Sequence, residues 1–167
     1  MAEAMTREAL FQEILQWWQR TEDAIAALGE HFDKPAHDGW TIGDVFRHIT
    51  AASHIMSWRI RELLATGELP FLGDSGNEEG IEKFRSLDYK MLRIELNTAH
   101  GVVWMYIQRF SDEDLAQTFT VFDEENTLGE VILHRVLHEG GHVNELLETL
   151  GLPESVIVPV ETAHRWA

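Results

Sequence analysis

The 167-residue chain contains no cysteine. That absence excludes a disulfide scaffold, a thiolate zinc knuckle, an iron–sulfur cluster and a cysteine nucleophile. If thiol chemistry occurs, its sulfur must arrive with a small molecule. Basic residues are also scarce, with Lys+Arg 13 against Asp+Glu 29 and a net charge of −16. Phosphate contacts need clustered Lys and Arg, so neither nucleic acid nor an anionic membrane surface is an expected partner. No stretch reaches the apolar length of a membrane span. The opening residues MAEAMTREALFQEIL carry acids where a signal peptide needs a basic start and an apolar run, which predicts a cytoplasmic protein.

What is present points to a folded core. Hydrophobic residues make up 44%, with six Trp and eight Phe, which excludes a disordered acidic tail. The length suits one domain, taken here over residues 1–167. Four segments carry helical periodicity. The first follows an N-cap at Thr6, places Leu10, Ile14, Trp17, Thr21, Ala24 and Leu28 on one face, and stops at Gly29. The second starts at Thr41, whose spacing to Asp44 makes a capping box, and ends at Gly67.

A third segment is predicted from about Leu87 to Phe110, with Met91, Ile94, Leu96, Val102, Val103, Tyr106 and Ile107 as its stripe. Ser111 with Asp114 caps a short turn, and the fourth helix runs from Thr127 and Glu130 to Gly151. The glycine-rich stretch 67–80 reads as loop, as does FDKPAHDGW, while FTVFDEEN offers one short strand or none. The expected architecture is all-α, an antiparallel four-helix bundle with some longer crossovers.

Nine histidines need a reason. His134, His138 and His142 form H-x-x-x-H-x-x-x-H on the fourth helix. Neighbours four apart stand one turn above each other and can share one ion. All three cannot, because eight residues of helix rise about 12 Å. At 100° per residue, His142 falls about 60° from the apolar centre, His138 about 100° and His134 about 140°. Glu139 falls almost on that centre, beside Gly140 and Gly141, whose pairing inside a helix implies close approach of another helix or a ligand. The pair selected is therefore His138 and His142, with His134 an ordinary surface or outer residue. His48, on the border of the second helix's buried stripe, is the best third ligand. His54 points to solvent, His31, His37 and His164 lie in loops or the tail, and His100 has no motif around it.

HEGGH at 138–142 also matches H-E-x-x-H, in which Glu139 acts as general base and Glu161 is on offer as third ligand. Zincins place a sheet before that helix, whereas three helices precede it here, so this reading ranks second. Trp17, Trp18, Trp40, Trp58 and Trp104 are core or interface packing rather than a substrate box. Trp40 staples the start of the second helix, and Trp17 or Trp18 faces outward.

GWTIGDVFRHITAASHIMSWRI at 39–60 and TLGEVILHRVLHEGGHVNELLETLG at 127–151 resemble the opening and closing blocks of the DinB-like family. FRSLDY and RFSDEDL resemble its boundaries around the third helix. The resemblance implies a four-helix bundle holding a divalent metal through His48, His138 and His142. It further implies a hydrolase or thiol S-transferase or isomerase that activates water or a low-molecular-weight thiol, with Glu139 and Glu145 as proton acceptors or orienting groups. Zinc or nickel leads among the cations, with iron, manganese and copper also compatible. A homodimer and a small-molecule substrate complete the expectation, and the alternative is a metal-stabilised stress-response bundle without turnover. One departure is Val143, Asn144 and Glu145, which stand where many members carry His or Arg, Gly and Gln after the last ligand.

Overall fold

Helix-start chemistry sets most element boundaries. In a computed structural model, which describes residues 6–70, 77–121 and 124–152, six α-helices, a 3₁₀ turn at Gly29–His31 and one hairpin make up the regular structure of the described residues. They are α1 (Arg7–Leu28), α2 (Ile42–Thr66), α3 (Asn77–Lys83), α4 (Tyr89–Ile107), α5 (Asp112–Leu115), β1 (Thr118–Val121), β2 (Glu124–Thr127) and α6 (Leu128–Leu150). The described chain is predominantly helical, as expected, and divides into two compact units.

One unit spans Ala27–Gln108 and holds α2, α3 and α4. The Thr41 hydroxyl accepts from the Asp44 amide at 3.1 Å, and the Asp44 carboxylate accepts from the Thr41 amide at 3.0 Å. Gly67 closes α2 in the left-handed conformation, donating to the Leu63 carbonyl. Arg47 then ties α2 to the turn after α3, donating to the Phe84 carbonyl at 3.3 Å and the Leu87 carbonyl at 3.2 Å. Further along, His54 Nε2 lies 3.2 Å from Glu95 Oε2, and Ser57 donates to the Ala99 carbonyl at 3.3 Å. These partners ascend together in both helices, so α2 and α4 run parallel. The expected antiparallel order fails for this pair because the connection through α3 is long enough to carry the chain back to the starting end.

Residues 77–80, read as loop, open α3, where Glu78 and Glu79 favour the helix start and Lys83 its end. A Cβ on Gly80 would stand 2.7 Å from the Ala51 Cβ, so this glycine permits close packing on α2 instead of breaking structure. On α4 the buried stripe is Leu92, Leu96, Ala99, Val103 and Ile107, while Met91 and Ile94 are exposed. His54, assigned to solvent, is half-buried, stacked on Phe84 with ring centroids 5.6 Å apart.

The other unit combines α1 with the chain from Arg109 onward. Thr6 caps α1 by accepting from the Ala9 amide at 3.3 Å. The Arg7 amide donates to Asp112 at 2.6 Å, joining the start of α1 to α5. Leu10, Ile14, Leu128, Ile132, Val143 and Leu146 are buried. Trp17 and Trp18 are both half-buried, with the Arg20 guanidinium 5.0 Å from the Trp17 ring centre. FTVFDEEN, read as one strand or none, supplies two: β1 pairs antiparallel with β2, from Thr118 with Thr127 to Val121 with Glu124. Glu and Asn are poor strand formers, and cross-strand pairing overrides that preference.

Asp44 carries a pH-dependent share of this stability. Burial alone would raise its pKa, but hydrogen bonds from Thr41 and the Arg47 charge outweigh burial and hold it below the ordinary range. A depressed folded pKa contributes stability above the unfolded value that is lost as pH falls through the folded one. Asp44→Ala is expected to destabilise by about 1–2 kcal/mol at pH 7. Urea titrations of both proteins at descending pH should show the difference shrinking below the ordinary Asp pKa of 3.8.

Candidate metal centre

The helix bearing the histidine row is anchored at both ends. Thr127 and Glu130 form a capping box, and Gly151 ends α6 in the left-handed conformation. Within it, four-residue spacing stacks His138 below His142. His138 is buried and His142 half-buried. Their Nε2 atoms approach to 3.1 Å, with the rings almost perpendicular at 83° and centroids 4.4 Å apart.

That geometry decides the chemistry available. Two imidazoles that bind one tetrahedral ion at about 2.0–2.1 Å hold their nitrogens roughly 3.3 Å apart. The observed separation is close to this edge, and both rings aim the same nitrogen at the same point. Without a cation, one ring must carry a proton there to satisfy the other, so proton and cation compete for one position. The donor set therefore fits a divalent metal.

The other face of His142 is also occupied. Its Nδ1 lies 3.5 Å from Glu145 Oε2, one turn on along α6. A carboxylate behind a ligating imidazole fixes the ring's orientation and raises its basicity. Glu139 is 2% exposed, an acid inside the apolar stripe, as its wheel position requires. Gly140 and Gly141 are buried beside it. Asn144, one of the departures from the family pattern, is buried and donates to Glu148 at 3.4 Å. His134 is half-buried one turn before the pair, and its side chain is not part of the Nε2 contact.

His48 belongs to the unit of α2 and α4 and is 7% exposed. The Trp40 ring packs against it, centroids 5.6 Å apart. Trp40 reaches this position through a tight turn in which Asp38 and Gly39 both adopt positive φ, 52° and 82°. The Trp40 amide donates to the His37 carbonyl at 2.8 Å and the Ala36 amide to the Trp40 carbonyl at 2.8 Å. The indole thus backs a candidate ligand, a contact absent from the sequence reading, although Asp-Gly is the strongest short signal for such a turn.

The remaining histidines have other surroundings. His37 Nδ1 lies 3.1 Å from Asp38 and its ring 5.9 Å from Trp40. His31 is half-buried after α1, and His100 is buried on α4. His164 and Glu161 lie outside the described residues. Among the described residues, no helix is long and apolar enough to cross a membrane.

Comparison with known proteins adds one finding. The family model of the DinB superfamily matches residues 13–146, which take in α2, α4 and the α6 histidines. Neither a curated protein nor a solved structure matches the chain.

Proposed function

This chain belongs to the DinB superfamily, and from that premise we propose that it binds one divalent cation through His48, His138 and His142. The four long helices α1, α2, α4 and α6 are the set a four-helix bundle of this family takes. The observation carrying the proposal is the convergence of two Nε2 atoms to 3.1 Å, close to the separation of two imidazole nitrogens on one tetrahedral ion. We propose further that the site serves a hydrolase or thiol transferase acting on small molecules.

A cation held by three imidazoles and otherwise open lowers the pKa of water or a thiol toward neutrality. The chain's own residues supply the rest. Glu145 holds His142 through Nδ1, so that Nε2 stays the ligating atom. Glu139 keeps a carboxylate in a dry position on the same helix turn as the ligands, suited to accepting a proton. Trp40 restrains the His48 ring and excludes water from one side of it. With no cysteine in the chain, a sulfur nucleophile enters only as substrate.

The test is thiol consumption. Zinc- or nickel-loaded protein is mixed with glutathione, bacillithiol or mycothiol and an electrophile, beside a His138→Ala control. Metal-dependent loss of thiol, absent in the control, is expected. Retained metal with no thiol loss, and no thiol-induced change in the cobalt-substituted spectrum, would overturn the transferase reading and leave the stress-related metal bundle in its place.

A further inference from the structure

Asp+Glu number 29 against Lys+Arg 13, so an arginine without a carboxylate partner is unexpected in this chain. Arg47, Arg61 and Arg85 follow the ordinary pattern, ion-paired with Asp44, Glu62 and Glu82. Arg59 does not. It is half-buried on α2, and its Nε donates to the Pro70 carbonyl at 2.8 Å. Gly67 makes that bond possible, since its left-handed C-cap turns the chain back along α2. Nη2 is buried and has no hydrogen-bond partner. Glu62, one turn on, is engaged by Arg61 at 3.0 Å instead. Burial pushes the Arg59 pKa below the ordinary arginine value, and no neighbouring charge offsets it. The guanidinium nonetheless keeps its proton at any physiological pH.

A buried cation with an unsatisfied N–H costs free energy. A side chain that served only to tether Pro70 would use Nε and leave its other nitrogens in water. The unused donor instead belongs to the planar fork that receives two oxygens of one oxyanion side by side. Position on α2 adds a direction. Arg59 follows His48 by eleven residues, which returns it to within about 20° of the same face, about 16 Å along the axis. Ala52 and Ile55 occupy that face between them, an apolar strip. We propose that Arg59 binds the carboxylate of a small molecule whose body lies along Ala52 and Ile55 toward His48. One guanidinium balances one negative charge, and a chain of net charge −16 penalises any excess, so a carboxylate fits better than a phosphate dianion. The carboxylate site stands on Arg59 itself; that its ligand is the substrate rests on the metal-dependent reading given above.

Thermal unfolding of the full chain tests the site without any turnover. Arg59→Met removes the buried charge at similar side-chain length, so its Tm without ligand is expected to equal or exceed the parent's. N-acetylglycine, at constant ionic strength, should raise the parent's Tm saturably and leave that of Arg59→Met unmoved. Arg61→Met, which removes the guanidinium paired with Glu62, should respond as the parent does. Inorganic phosphate at equal concentration should raise the parent's Tm less than N-acetylglycine. The substrate link is read separately on metal-loaded protein, with an electrophile and either glutathione or the uncharged thiol 2-mercaptoethanol. In Arg59→Met the ratio of kcat/KM for glutathione to that for 2-mercaptoethanol should fall by about 10–100-fold. If neither thiol is consumed by the parent, the transferase reading fails while the Tm series still decides the carboxylate site. A lower Tm for ligand-free Arg59→Met, no saturable rise in the parent, or an equal rise in Arg59→Met would overturn the site. A larger rise with phosphate would overturn the choice of carboxylate, and an unchanged kcat/KM ratio would overturn the substrate link.

Discussion

His142→Ala is expected to weaken zinc binding by more than about 100-fold, whereas His134→Ala on the same helix changes it by less than about threefold. Both substitutions remove one imidazole from α6, so helix propensity and net charge change equally. They differ in geometry alone: His142 Nε2 meets His138 Nε2 at 3.1 Å, and His134 stands outside that contact. Glu145→Gln is expected between the two, about 10–100-fold weaker, since it leaves every ligand but loosens the ring whose Nδ1 it approaches at 3.5 Å. Competition against a chromophoric chelator measures all three. Equal losses for His134→Ala and His142→Ala would show that the row binds metal diffusely, and the paired site would fall.

Leu92→Ala should destabilise the fold by about 2–5 kcal/mol, while Ile94→Ala stays within about 0.5 kcal/mol in dilute solution. Leu92 is fully buried, so its removal leaves a cavity in addition to the lost transfer free energy; Ile94 is 56% exposed and leaves none. Urea unfolding with an unchanged m-value is the measurement. The contrast is informative because hydrophobicity alone ranks the two residues alike. Similar losses at both positions would mean that α4 is rotated about its axis from the arrangement described here.

Which face of α4 is buried is the least legible feature of the sequence. Helix starts were legible because their causes are local: Thr41 with Asp44, Ser111 with Asp114 and Thr127 with Glu130 each form the reciprocal cap their spacing implies. The His138–His142 pair was legible for the same reason, being fixed by one turn of helix. On α4 the periodicity misled, because that helix is apolar on two faces and the exposed pair Met91 and Ile94 competes with the true core stripe. The stripe read from the sequence shares Leu96, Val103 and Ile107 with the buried face and lacks Leu92 and Ala99.

Non-local pairing hid the rest. Glu124, Glu125 and Asn126 have no strand signal of their own and become a strand only through β1. Gly80 looks like a breaker until Ala51 is seen 2.7 Å from where its Cβ would be. The parallel course of α2 and α4 depends on how the connection between them returns, which no periodicity encodes. His54 reads as solvent-facing on a helical wheel because Phe84 and Glu95, which cover it, lie on neighbouring elements.

The most direct test of the metal centre is elemental analysis of the full chain purified without an affinity tag or chelator, with the parent set beside His48→Ala and His138→Ala. About one equivalent of a divalent transition metal per chain is expected in the parent, and little in either variant. Undiminished metal in His48→Ala, or a parent that neither retains nor takes up a divalent ion, would contradict the three-histidine site.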